Sequence, residues 1–166
     1  AIESWLTEML GDLGGKIHTG RSRNDQVAVA LRLFMKDRLK QLQSICVQIA
    51  QVLLGRIATE ADLPMAGYTH LQSAMPSSAG LWLAGHAEAF IDNAELAALT
   101  CQWLDASPLG TASGFGVNLI LPRQAVAKDL GFARLVVNPQ YAQNSRGKIE
   151  LQALSAAVES TGQAKA

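Results

Sequence analysis

Two short polar stretches hold the residues of this chain best suited to chemistry: GGKIHTGRSRNDQV, from Gly14 to Val27, and AGYTHLQSAMP, from Ala66 to Pro76. In the first, Ser22, Arg23 and Asn24 bring a hydroxyl, a guanidinium and an amide to an expected helix N-terminus, where backbone N–H groups and the helix dipole favour an anion. That combination suits a carboxylate. Ser22 and Asp25 also stand at the spacing of a capping box, so taken alone these residues make an ordinary helix start. In the second stretch, Gly67 frees the backbone while Tyr68, Thr69, His70 and Gln72 gather hydroxyl, imidazole and amide groups within a few residues. Such a set can orient a substrate and move a proton near neutral pH. Standing alone, His70 reads first as a loop histidine bonded to a backbone carbonyl. Lys16 and His18 are loop donors or surface groups, and His86, inside an apolar helix, reads as a satisfied core residue.

The elements that must position these groups are helices. Ile2, Leu6, Met9, Leu10 and Leu13 line one face of a first helix that Gly14 and Gly15 stop. A second helix is expected from Ser22–Asp25 to about Glu60, because Val27, Leu31, Phe34, Leu42, Ile45, Ile49, Val52, Leu53 and Ile57 recur at three- and four-residue steps. At 1.5 Å per residue it would run roughly 50 Å, putting the two polar stretches at opposite ends of one subunit, so that they meet only across subunits. A third helix follows Pro76, starting at Ser77 or Ser78 and ending at Asp105 before Pro108 and Gly110. It is apolar almost all round, so neighbouring subunits are its expected cover, and Gly80 and Gly85 admit a second backbone. Thr111–Asn118 reads as a small-residue loop, Pro122–Leu130 as a short helix and Ile149–Val158 as another. The run Leu135–Val137 is too brief to build a sheet.

Composition narrows the partners. With 14 basic and 14 acidic residues in 166, and a pI near 7.1, net charge gives no reason to expect nucleic acid or an anionic membrane. Glu3, Glu8 and Asp12 break any secretory signal pattern, and acidic residues and His86 interrupt the most apolar region, 79–104, before a membrane span accumulates. Cys46 and Cys101 lie within helical pattern rather than in a CxxC pair, which points to reduced, buried thiols in an intracellular protein and to neither a disulfide nor a metal site. The chain starts at Ala1 rather than Met and is already amphipathic, as expected of a piece of a longer protein.

GGKIHTGRSRNDQVAVALRL followed by MAGYTHLQSAMP resembles the argininosuccinate lyase family of the aspartase and fumarase superfamily, matching the first two of its three signature regions in order. Fumarases usually show an SSND pattern in the first region, and an arginine where this chain has Tyr68. The resemblance implies an all-α fold, a long-helix bundle assembling into a tetrameric helical core. Residues 1–21 would end the N-terminal region, and 22–166 would form part of the central bundle. It further implies reversible β-elimination of argininosuccinate to arginine and fumarate in arginine biosynthesis, by a cytoplasmic homotetramer whose sites draw on three subunits and need no cofactor. By the same resemblance His70 is the catalytic histidine, Asn24 and Thr69 are substrate-binding, and Ser22, Arg23 and Gln72 are neighbouring site residues.

The chain also departs from that family. The third signature, a GSSxMPxKxN loop supplying a serine base and a lysine, does not occur in it, so this piece alone is expected to be inactive. Around Asn138–Lys148 it reads NPQYAQNSRGK where the family has NSxDAVSDRD: Arg146 aligns, but Ser145 and Gly147 replace acidic residues. SPLGTASGFG likewise varies on SPLGxGALAG. Two other functions remain in view, a superfamily lyase releasing fumarate from another amine and a non-catalytic protein on the same scaffold.

Overall fold

In the computed structural model, which describes residues 2–165, the helices lie close to where the periodicity puts them. They are α1 (Ile2–Leu10), α2 (Asp12–Gly15), α3 (Arg23–Glu60), α4 (Ala79–Leu104), α5 (Arg123–Asp129), α6 (Pro139–Asn144) and α7 (Arg146–Gln163), with a 3-10 turn at Lys16–His18. The strands are β1 (Pro64–Thr69) and β2 (Gln72–Ser78), an antiparallel pair, and two short parallel segments, β3 (Ala106–Ser107) and β4 (Arg134–Leu135).

The chain divides into two compact units, one made of residues 1–36 and 103–150, the other of 37–102 and 151–166. In the first, Val29 of α3 packs with Leu109, Ala127 and Phe132, and a second cluster joins Ala106, Val136 and Ala142. The β3–β4 pairing aligns Ala106 with Arg134 and Ser107 with Leu135. The Lys36 ammonium lies 4.8 Å from the centre of the Phe132 ring, a cation–π distance. In the second unit, Cys46 and Ala50 of α3 meet Phe90 and Ala94 of α4, flanked by Leu42, Ile49 and Leu53; Cys46 is buried as expected, whereas Cys101 is only half-buried.

α4 is capped by Ser78, whose Oγ accepts from the Leu81 amide at 3.2 Å. It buries Leu83, Ala87, Phe90, Ala94 and Ala97 on one face and leaves Leu81, Trp82, Ile91 and Leu99 exposed on the rest. A Cβ on Gly80 would lie 2.9 Å from the Ala61 backbone, so this glycine does serve a close approach, whereas Gly85 has nothing near it. His86 is half-buried, not a core residue; its ring stands edge-on to Trp82 at 5.1 Å. One 18-residue window of α3 reaches a mean hydropathy of 1.2, apolar enough by length and composition for a membrane span. Only 11% of that window is buried, and Cys46 of the same helix packs against α4.

The expected irregular stretch between α3 and α4 is instead a hairpin. Its register pairs Pro64 with Ser78 and Thr69 with Gln72, interrupted by a bulge between Ala66 and Tyr68. A Cβ at Gly67 would stand 2.8 Å from the Met75 carbonyl oxygen, so the strands approach there only because the residue is glycine. α6 was also unexpected: Asn138 caps it by accepting from the Tyr141 amide at 2.9 Å, with Pro139 at its first turn. Leu135 does enter a sheet, paired to Ser107.

Candidate functional site

The capping box read from Ser22 and Asp25 forms. The Ser22 amide donates to Asp25 Oδ1 at 2.9 Å and the Asn24 amide donates to Ser22 Oγ at 3.2 Å. A hydroxyl oxygen that accepts in this way keeps its hydrogen for another acceptor, so Ser22 can still donate to a ligand carboxylate. Ser22 is half-buried, while Arg23 and Asn24, the first residues of α3, are exposed. The structure therefore gathers three of the six expected site residues at one helix start.

The other three lie together at the hairpin tip. Thr69 and Gln72 are paired across the strands and so point to the same side, with His70 and Leu71 forming the two-residue turn between them. Both turn residues have positive φ, 51° at His70 and 63° at Leu71. A left-handed conformation is uncommon for histidine and unfavourable for leucine, and such positions persist only where surrounding structure enforces them. Thr69, His70 and Gln72 are exposed, and Leu71 projects at 94% exposure. The two groups of residues belong to different compact units.

Beside the first group lies a buried polar ladder. Asp25, Arg32 and Lys36 occupy positions i, i+7 and i+11 on one face of α3, at 0%, 4% and 8% exposure. Each turns to the segment after α4. Asp25 Oδ2 accepts from the amides of Gly110 at 2.9 Å and Ala112 at 3.0 Å. Arg32 donates to the carbonyls of Leu104 and Ala106, and Lys36 pairs with Asp105 and donates to the Gly131 carbonyl at 2.6 Å. Burial pushes the Arg32 guanidinium below its ordinary value, and the neighbouring Arg134 cation adds to the effect while Tyr141 opposes it. The signal in the sequence was three charged residues interrupting an apolar stripe, which is rare without buried partners.

A cleft of about 100 Å³ opens nearby, lined among others by Thr19, Arg21, Gly110, Leu121 and Arg123. Small-molecule pockets usually run about 300–1,000 Å³, so this one has room for a carboxylate-sized group rather than a whole amino-acid adduct. Ser145, which stands where an acidic residue was expected, is buried with no hydrogen-bond partner for its hydroxyl. His18 Nδ1 lies 3.6 Å from a Glu3 carboxylate oxygen, placing it against α1. Among the described residues no three His, Cys, Asp or Glu side chains are grouped to hold a metal ion.

Known proteins resemble the chain along nearly all of it. Residues 1–161 match the family described as Lyase. The chain is 60% identical over 156 residues to argininosuccinate lyase of Xanthomonas oryzae pv. oryzae, covering 94% of this chain and 36% of that protein. With argininosuccinate lyase of Xylella fastidiosa the identity is 63%, over 94% of this chain and 35% of the relative. The chain thus spans about a third of the length of these relatives. Among solved structures, a variant of EDDS lyase with bound fumarate superposes with a TM-score of 0.88 at 27% identity, over 93% of this chain and 31% of the other. A crystal structure of EDDS lyase in complex with formate gives 0.81 at the same identity.

Proposed function

This chain belongs to the lyase family, and we propose that it is part of an argininosuccinate lyase, which splits argininosuccinate reversibly into arginine and fumarate by β-elimination. The observation that carries this reading is the joint presence of both signatures, each on an element that displays it, in a chain whose curated relatives bear that name. We place residues 1–21 at the end of the subunit's N-terminal region and 22–166 in its central helical bundle. The full-length protein would be a cytoplasmic homotetramer, a reading supported by the exposed apolar faces of α4 and of α7, where Leu151, Leu154 and Val158 are open.

Elimination removes a proton beside a carboxylate, so negative charge builds on that carboxylate in the transition state. Donors fixed in advance around it lower the barrier, since they need no reorganisation as the charge develops. Ser22 and Asn24, with Arg23 beside them, would supply such donors at the start of α3, where the helix dipole adds to the same end. On the hairpin tip Thr69 and Gln72 would hold substrate, and His70 would take part in moving the proton that the departing guanidinium nitrogen gains. His70 stands in the turn beyond the paired residues and is exposed, so a substrate held by other elements could reach it.

His70→Asn in the full-length protein tests the assignment. Turnover should fall by orders of magnitude while the tetramer stays intact; unchanged production of arginine and fumarate would remove His70 from the mechanism.

A second reading, a lyase that releases fumarate from a different amine, draws support from the likeness to EDDS lyase with fumarate bound and from Ser145 and Gly147 in place of acidic residues. Comparing turnover of argininosuccinate, adenylosuccinate, aspartate and malate separates the two.

A further inference from the structure

We infer that Asp25 is a positioning residue for the substrate-binding turn Ser22–Asn24, acting by locking that turn to the distant turn Gly110–Ala112. The inference deepens the proposed function and rests on its assignment of Ser22 and Asn24. A helix cap needs one acceptor, and Asp25 Oδ1 meets that need by accepting from the Ser22 amide at 2.9 Å. Oδ2 is engaged elsewhere, accepting from Gly110 N at 2.9 Å and Ala112 N at 3.0 Å, and these two bonds do nothing for the helix start. The carboxylate is fully buried.

The far side of the lock is itself braced. Gly110 and Ala112 both have positive φ, 85° and 52°, so the turn takes a shape that points two amides at one oxygen. Arg123 Nε donates to the Leu109 carbonyl at 2.8 Å, Gln143 Nε2 to the Ala112 carbonyl at 3.1 Å, and Thr111 Oγ1 to the Pro108 carbonyl at 2.7 Å. A turn held on that side and tied through Asp25 on the other fixes where the Ser22 backbone stands, and with it the hydroxyl and the Asn24 amide. Because positioning errors of about 1 Å can cost on the order of a hundredfold in rate, the lock should show in turnover as well as in substrate affinity.

Asp25→Asn keeps the shape but presents an NH2 group to backbone amides that need acceptors. In the full-length protein, the KM for argininosuccinate and the Kd for fumarate should each rise at least tenfold, and kcat of the folded enzyme should fall as well, because Ser22 and Asn24 also meet the charge that develops in the transition state. A merely structural role would instead lower the active fraction and leave KM and Kd alone, and that result would overturn the inference. If Asp25→Asn does not fold, Gln143→Leu loosens the same turn from its other side; it should raise both constants about threefold, and unchanged constants there would overturn the inference equally. Wild-type protein that binds fumarate but does not turn over argininosuccinate would strike the substrate assignment alone, and the fumarate Kd of the variants would still decide the role of Asp25.

Discussion

The guanidinium of Arg32 donates to the carbonyl oxygen of Ala106 at 2.7 Å, and to that of Leu104 at 3.2 Å, closing the end of α4 and the residues after it onto the first third of α3, 72 and 74 positions earlier. Arg32 is 4% exposed, and among the described residues no acidic side chain is paired with it. Its charge is therefore balanced by carbonyl dipoles rather than by an ion pair.

Replacing Arg32 with Met keeps much of the volume and leaves two buried carbonyls without a donor. An unsatisfied buried polar group costs about 1–3 kcal/mol, so Arg32→Met should destabilise the full-length protein by about 2–4 kcal/mol. The shift in a urea denaturation midpoint at unchanged slope measures this. A loss below about 0.5 kcal/mol would mean the carbonyls find other donors.

Leu71 offers the opposite change. It sits in the left-handed region at φ 63° with its side chain at 94% exposure, so it contributes conformational cost and little burial. Glycine suits the second central position of such a turn without a Cβ penalty. Leu71→Gly should raise stability by about 0.5–1 kcal/mol, read from the same midpoint. A stabilised variant with reduced turnover would show that the strain serves to hold His70.

Glu60 carries a pH dependence whose sign follows from its partner. Arg56 Nε and Nη2 donate to the two Glu60 oxygens at 3.1 and 2.6 Å, and this hydrogen bonding holds the carboxyl below its ordinary range. A carboxyl lowered in the folded state stabilises above its unfolded value and loses that contribution as pH falls through the folded one. The difference in stability between wild type and Glu60→Gln should be constant near neutral pH and vanish below the usual carboxylate range. Being exposed, the pair should also weaken with salt. A difference that grows on acidification would contradict the assigned direction.

The long helices were legible because their apolar residues recur at helical spacing over many turns, and the start at Ser78 because a serine cap follows Pro76. The hairpin was not. Its strands are almost wholly exposed, so no burial enforces the alternation that marks a strand, and His-Leu at the turn lacks the Asn-Gly chemistry that would announce it. Half of the first site group was readable in the same way: the bond from the Ser22 amide to Asp25 is local and follows from spacing. The bonds from Gly110 and Ala112 to Asp25 join residues 85 and 87 positions apart, which no local pattern encodes.

Phe90 provides the last prediction. It is 6% exposed in a cluster otherwise formed by Cys46, Ala50 and Ala94, with Leu42, Ile49 and Leu53 around it. The buried partners are small, so they cannot extend into the space a missing ring would leave. The residues just after α3 are also tied to the start of α4, since the Gly80 amide donates to the Ala61 carbonyl at 3.2 Å and the Ala79 amide to the Leu63 carbonyl at 2.9 Å. A site that cannot collapse shows the upper part of the cavity cost, so Phe90→Ala should lose about 3–5 kcal/mol, whereas Phe90→Leu, which refills much of the volume, should lose about 1–1.5 kcal/mol. Denaturation midpoints of both variants in the full-length protein measure the gap. Equal losses would mean that the cluster relaxes around the cavity and that α4 is held chiefly by its other contacts.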